Sequence, residues 1–396
     1  MNLMLIDKIK SLASEIHEEV TVNRRHLHAH PELSFEEYNT SAFVKIQLTK
    51  MGIPFKEMAN TGVVGLIEGK KSDKVIALRA DMDALPIVEA NDVTYKSKNQ
   101  GVMHACGHDV HTSSLLGTAS ILNQLKDEFA GTVKLIFQPA EERLPGGANL
   151  MIKEGVLENP TPNAVLGQHV MPLIDAGKIG IRPGKYMAST DELYVTIKGK
   201  GGHGAQPQQN IDPVVIMAHM ITALQTIISR SADPRSPSVL SFGKVIANGA
   251  TNVIPNEVYL EGTFRTLNEK WRAEAHLKMK KMAESIAEGM GGSCDFRIEK
   301  GYPFLVNEEQ LTARVKANAI EYLGVENVLD LDIWMAAEDF AYFSQAADAC
   351  FYRLGTRNEA RGITSSVHTP TFDIDENALG ISTGLMAYMT IKELGN

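Results

Sequence analysis

Cys106 and His108 stand two residues apart in VMHACGHDVHT at 102–112, with His104, Asp109 and His111 around them. Thiols and imidazoles are metal donors, and side chains two apart in an extended segment face one side. The pair reads as half of a metal site, its direction set by the helix-like run that follows. The same letters also fit a histidine-rich helix start in which Cys106 is a small buried apolar residue, as most free cysteines are. The rest of the chain weighs on that choice.

Further chemistry-bearing residues follow apolar runs. KVIALRA at 74–80 runs into Asp81 and Asp83; TVKLIFQPAEE at 132–142 breaks at Pro139 before Glu141 and Glu142; AVLGQHV at 164–170 carries His169 near its end. Nearly continuous apolar runs suit strands buried on both faces of a mainly parallel sheet. Ligands of such sheets gather just past the carboxyl ends of the strands. Three strand ends and one loop thus bring Asp83, Glu141, Glu142, His169, Cys106 and His108 toward one rim. Singly each has an ordinary reading, such as a turn cap, a solvated acid pair or a surface histidine; together they favour a metal site. His368, in a loop between Ser366 and Pro370, reads by default as a surface histidine but suits a ligand arriving from a separate element. His26, His28 and His30 sit at spacing two on a predicted helix and point in different directions, so a joint metal role is not expected.

The elements that hold these residues follow from periodicity. Leu5, Ile9, Leu12, Ile16 and Val20 form an apolar stripe that predicts one helix over 5–30, stopped by Pro31. Helices are predicted at 36–51, 110–126, 308–323 and 376–394. From about residue 181 the patterning changes. DELYVTIKGKGGH at 191–203 alternates as a half-exposed antiparallel strand does, and the order that follows is β-α-β-β-α-β, that of a ferredoxin-like layer. The predicted fold is α/β: a mainly parallel-sheet domain from 1–181 and 300–396, split by an inserted ferredoxin-like α+β domain at 182–299.

The chain has 396 residues, long enough for two cores. Its hydrophobic content of 44% and charged content of 22% are those of a globular protein. A net charge of −9 without a basic tract argues against a nucleic-acid partner. Asp7, Glu15, Glu18 and Glu19 interrupt any signal-peptide core, and no apolar run is read as a membrane span, so a cytoplasmic protein is expected. The 3 cysteines, Cys106, Cys294 and Cys350, have no framework spacing, and reduced thiols are expected.

Taken in order, RADMDALP, MHACGHDVHT, FQPAEE, GQHV, GKGGHGAQP, NVIP, GTFRT, EDFAYF and VHTPTFDIDE resemble the co-catalytic metal amidohydrolase and peptidase family. The branch is that of hippurate hydrolase, N-acyl-amino-acid amidohydrolases, N-acetyldiaminopimelate deacetylase and auxin-conjugate hydrolases. The resemblance covers nearly the whole chain and implies a catalytic domain split by a lid or dimerisation domain. It implies two divalent ions, zinc or manganese first and cobalt or nickel as alternatives, held by Cys106, His108, Glu142, His169 and His368. Glu141 would be the general base and Asp83 the acid that orients a ligand histidine. His203, in GGHGAQP, is similar to a lid histidine that holds the developing oxyanion, while Arg265 and Asn252 resemble contacts to the substrate carboxylate or amide. The chain departs from the wider pattern at Asp81, where a histidine ligand is common, and at Gln208, where relatives often carry histidine.

Amide hydrolysis needs an activated water, a polarised carbonyl and a protonated leaving amine, which paired metal ions and one carboxylate supply. An N-acyl amino acid or small dipeptide is the expected substrate, because Arg265 suggests a free carboxylate. A homodimer or homotetramer through the inserted domain is compatible with the pattern. His203 and Arg265 would require that domain, or a partner's copy, to meet the ligand cluster. Three rivals stand against this reading. Gly380–Gly384 matches G-x-S-x-G around Ser382, but inside a predicted helix without the strand that a nucleophile elbow needs. Cys106 could be a nucleophile, and a binding protein for metal or amino acid could keep the fold, although it would have no use for Glu141.

Overall fold

The computed structural model describes residues 2–395 and divides the chain into two compact units. The first runs to Lys185, resumes over Val306–Ile333 and continues from Asp339; the second is Tyr186–Leu305 with Trp334–Glu338.

The first unit is built on an eight-stranded sheet. Its centre is four parallel neighbours, in the order Ala130–Gln138, Lys70–Asp81, Ala164–Asp175 and Ala349–Arg357. Phe55–Met58 and Gly62–Glu68 extend one side antiparallel, while Ile179–Ile181 and Val328–Asp330 extend the other. Register aligns Asp81 with Gln138, and His169 with Arg353, so the carboxyl ends of the strands share one edge of the sheet. Helix His108–Gln124 is buried along most of its length and packs Leu115, Ala119 and Leu122 into the core with Leu78, Leu135 and Leu166. A helix apolar on several faces belongs inside a domain, as this one is.

Two sequence expectations change here. The single helix over 5–30 is two, Asn2–Glu15 and His17–Ala29. Ile16, with ψ 0, leaves helical geometry for one residue, although the bonds from Ile16 N–H to Leu12 and from Val20 N–H to Ile16 run across the break. The helix expected from 110 begins at His108, because Gly107 adopts φ 79 and turns the chain immediately before it.

The second unit is a four-stranded antiparallel sheet in the order Ser238–Ile246, Glu257–Thr266, Asp191–Lys198, Ser293–Lys300. Chain order is β-α-β-β-α-β, with helices Pro213–Thr226 and Glu269–Gly289 in the crossovers. Asp212 caps the first by accepting from the amides of Val214 and Val215, and Asn268 caps the second through Trp271 N–H. Ala275, Met279, Ala283 and Ala287 recur every fourth residue and bury one face of the second helix beside Leu193, Val195 and Phe264. Trp334–Glu338 joins this unit because Trp334 bridges Met187 and exchanges backbone bonds with Tyr186 and Ala188, a pairing that periodicity along the chain does not reveal. The expectation of no span-length apolar run is also corrected. The helix from Pro213, extended through a wider turn to Ser231, is long and apolar enough by length and composition to cross a membrane. It packs Ile216, Met220, Leu224 and Ile227 into the core of its own unit.

Candidate metal centre

Cys106 ends the loop before the buried helix, and Gly107 makes the turn that separates it from His108. A Cβ at 107 would lie 2.6 Å from Val170, so glycine is required both by its φ and by the approach of the neighbouring strand. It is this turn, and not the alternation of an extended segment, that aims both side chains inward. Cys106 Sγ lies 3.4 Å from His169 Nε2 and 3.2 Å from His368 Nε2, and His368 Nε2 is 3.1 Å from Glu142 Oε1. Donor atoms of Cys106, His108 and His169 fall within 4.8 Å of one another, as do those of Cys106, Glu142 and His368, and those of His108, Glu141 and Glu142. Six residues from four stretches of chain thus converge.

Surrounding bonds select which atoms face the centre. His108 Nδ1 donates to Asp83 at 3.1 Å, leaving Nε2 buried without a hydrogen-bond partner. His169 Nδ1 donates to the Val170 carbonyl at 2.8 Å, so its Nε2 lone pair is turned toward Cys106. Glu142 Oε1 is likewise buried and turned into the cluster, beside His368 Nε2. Imidazole lone pairs, a thiol and carboxylate oxygens packed at such distances have too few protons to satisfy one another. A divalent cation fits this donor set, and histidines tied at the other nitrogen are characteristic of metal ligands.

Electrostatics agree. Burial works against a charged His108, but Asp81, Asp83 and Glu142 outweigh it and push it up to about 10 in the metal-free protein. The surplus of negative charge that holds this proton would hold a cation. Burial first, then Glu142 and Glu141, pushes the Cys106 thiol well above its ordinary value. Without a cation the sulfur stays protonated, which disfavours a nucleophilic thiolate. Burial and Arg353 keep His169 neutral, the form in which histidine ligates.

Asp83 is fully engaged: beyond His108 it accepts from Ser34 Oγ at 2.6 Å and from the amides of Glu141 and Glu142, each at 3.0 Å. It ties the carboxylate-bearing turn to the histidine-bearing helix. Asp81 accepts from Arg79 at 2.7 Å and from His111 Nδ1 at 2.5 Å, while His111 Nε2 accepts from Val170 N–H at 2.9 Å. His111 therefore spends both nitrogens on the backbone that follows His169 and on Asp81, and has no lone pair left for a metal.

Sequence reading missed the ion network behind these ligands. Arg24, fully buried, donates to Asp109 at 2.8 Å and to Asp373 at 2.9 Å, and His28 bonds Asp109 and Glu89 at 2.8 and 3.1 Å. Asp109 adjoins His108 and Asp373 lies five residues past His368, so one guanidinium links both ligand segments. Burial opposes ionisation of Asp109, yet Arg24 and His28 hold it well below the usual carboxylate range. No local signal marks it, since Asn23 and His28 share the buried face with Arg24.

Of the second-unit residues, His203 and Asn252 are neighbours: His203 pairs with Val253 in a two-stranded sheet, and Gly204 N–H donates to the Asn252 carbonyl at 2.8 Å. Both are exposed. Ala205 N–H donates to His203 Nδ1 at 3.1 Å, which places the ring proton on Nε2. Arg265 lies half-buried on the central strand pair and donates to Thr263 Oγ1 at 3.3 Å. Ser382 sits inside helix Asn377–Glu393, buried, with its hydroxyl accepting from Gln168 at 2.6 Å. No strand-to-helix elbow forms there.

A mainly parallel α/β sheet with nitrogen, sulfur and carboxylate donors converging at its carboxyl-end edge defines a class, α/β proteins with a candidate metal centre. The family profile described as peptidase family M20/M25/M40 matches residues 77–390, and the chain belongs to that family. Thermostable carboxypeptidase 2 of Saccharolobus solfataricus is 39% identical over 392 residues, 98% of either chain. An N-acyl-L-amino acid amidohydrolase of Geobacillus stearothermophilus is 44% identical over 318 residues, 80% of this chain and 85% of its own. Among solved structures, a dinuclear metal-binding peptidase of the M20 family from Bacillus subtilis is 35% identical, covers 96% of this chain and 99% of its own, and has a TM-score of 0.83. The protein is a metal-dependent hydrolase of amide bonds.

Proposed function

We propose that this enzyme removes the acyl group from N-acyl amino acids, with Glu141 as general base. The observation that carries the proposal is the convergence of Cys106, His108, Glu142, His169 and His368 with Glu141 beside them. Two divalent ions per subunit, zinc or manganese with cobalt or nickel as substitutes, would polarise the scissile carbonyl and make water acidic there. Glu141 takes the proton as the water oxygen attacks the carbonyl carbon. It then delivers that proton to the amide nitrogen, the C–N bond breaks, and a carboxylate and a free amino acid leave. Asp83 keeps His108 in one tautomer and holds the turn that carries both glutamates. His203, with its proton on Nε2, would be the donor to the oxygen on which charge develops. Arg265 and Asn252 would receive the substrate carboxylate or amide.

A small N-acyl amino acid as partner is supported by the name of the Geobacillus relative. A small-dipeptide peptidase is supported by the Saccharolobus carboxypeptidase, and N-acetyldiaminopimelate deacetylation is a variant of the same chemistry. Pairing of two subunits through the second unit is supported by the exposed Val215, Val239, Val245 and Ile246, three of them on the outer strand Ser238–Ile246. A reducing cytoplasm suits a thiol that must ligate.

The deciding experiment measures amine released from acetyl, benzoyl and diaminopimelate conjugates and from dipeptides, before and after chelation and metal return. Release abolished by chelator and restored by metal is expected, with an N-acyl amino acid as best substrate. Release that survives complete metal removal would defeat the proposal.

A further inference from the structure

The turn that presents Glu141 and Glu142 is held in an unfavourable conformation. Ala140 has φ 49, in the region that favours glycine, and Gly147 packs so closely beneath that a Cβ there would lie 1.8 Å from the Pro139 carbonyl oxygen. A backbone in that state persists only where its surroundings over-determine it. Three consecutive amides of the turn are each taken by a buried carboxylate. Asp83 accepts from Glu141 and Glu142, and the amide of Ala140 donates to Glu37 Oε1 at 2.8 Å.

Glu37 is fully buried and lies 103 residues from that amide in sequence. Its Oε1 also accepts from Phe35 N–H at 2.9 Å, and its Oε2 from Thr61 Oγ1 at 2.7 Å. It occupies the cap position of helix Tyr38–Lys50, where a carboxylate ordinarily binds its own helix, yet its side chain makes no such bond. Glu32 serves that end instead, accepting from the amides of Asn39 and Thr40 at 3.1 and 2.8 Å. One carboxylate has taken over the capping while the natural capping residue is turned away to the turn at 140.

We propose that Glu37 is a positioning residue for the reaction: by holding the Ala140 amide it sets where Glu141 and Glu142 point. It touches neither substrate nor the donor atoms of the centre. The inference rests on the reading of Glu141 as base and Glu142 as metal donor. Burial, then Asp83, pushes the Glu37 carboxyl up from its ordinary value, and glutamine keeps its length and one oxygen that can accept the Ala140 amide.

The test compares Glu37→Ala, Glu37→Gln and Thr61→Val in the full chain, reading kcat and KM on the best N-acyl amino acid, Zn²⁺ affinity by chelator competition, and Tm. Glu37→Ala should lower kcat by about 10- to 100-fold with KM little changed, the scale expected from a small misplacement of a reacting group. It should weaken Zn²⁺ affinity by roughly 10-fold, as loss of an outer support does. Glu37→Gln still accepts the Ala140 amide and should restore both. Thr61→Val, which frees Oε2 alone, should fall between. A lower Tm with parental kcat and Zn²⁺ affinity would make Glu37 merely structural and overturn the proposal. So would a Glu37→Gln protein as impaired as Glu37→Ala. If the alanine variant does not fold, parental kcat and affinity in Thr61→Val overturn it. A fully active Glu141→Gln would instead remove Glu141 as base, and the Zn²⁺ affinities would still decide the role of Glu37.

Discussion

The donor cluster of the first unit and the His203–Asn252 pair of the second are built in opposite ways. Around Cys106 and His108 the groups that support the donors are buried and committed: Asp83 alone takes four donors, and His108, His169 and His111 are each tied at a ring nitrogen. His203 stands exposed on a two-stranded sheet and Asn252 exposed in the turn before its partner strand, joined by the bond from Gly204 N–H to the Asn252 carbonyl. The first arrangement fixes geometry before any ligand arrives, as ions and a general base require. The second leaves its side chains open to water, as the proposed contacts to a substrate would require.

Variants can break this contrast. The largest effect is expected at Glu141→Ala, where turnover should fall about 10²- to 10⁴-fold with metal content unchanged, measured by amine release beside elemental analysis. A metal-loaded and active variant would remove the base from the first region. At the second region, His203→Ala should cost roughly 10²- to 10³-fold in kcat, with Zn²⁺ affinity and Tm untouched. A loss of metal there would mean that the two regions are not independent. Asp83→Ala should do the reverse of His203→Ala, weakening metal affinity about 10- to 100-fold and lowering Tm, read by chelator competition. The smallest effect is one of pH. Burial opposes ionisation of Asp191, but His276 and Arg272 outweigh it and hold its carboxyl below the ordinary 3.8. Its contribution to the second unit is complete above that ordinary value and is lost as pH falls through the lowered one. Asp191→Asn should therefore flatten the acid side of a Tm-against-pH curve; an unchanged acid limb would show that the pair adds no pH-dependent stability.

The same contrast explains what could be read in advance. KVIALRA, TVKLIFQ and AVLGQHV are apolar without interruption, so their strands and the parallel sheet were legible. The alternation from 191 and the β-α-β-β-α-β order made the second layer legible in the same way. Glu141, which follows a strand, inherits its place from the sheet, as does His169, although its strand runs on to Asp175 rather than ending at 170. The segment from Cys106 to His108 was read as extended, but Gly107 turns it, because whether a glycine turns the chain or lets it run straight depends on what lies beside it, here Val170. Arg24 and Glu37 were invisible for a related reason. Their partners lie 85 and 103 residues away, and nothing in a local window says that an arginine or a glutamate on a helix will be buried against them.

By itself the sequence determined the two layers, the strands and the chemical types gathered at their ends, because periodicity and residue type are local properties of the chain. Only the tertiary structure decided which lone pairs face the centre, which of the neighbouring histidines are spent on backbone and carboxylates, and which buried charges hold the ligand segments. Those outcomes depend on atoms meeting at about 3 Å after long loops have closed, a distance scale that hydrogen bonding demands and sequence spacing does not encode.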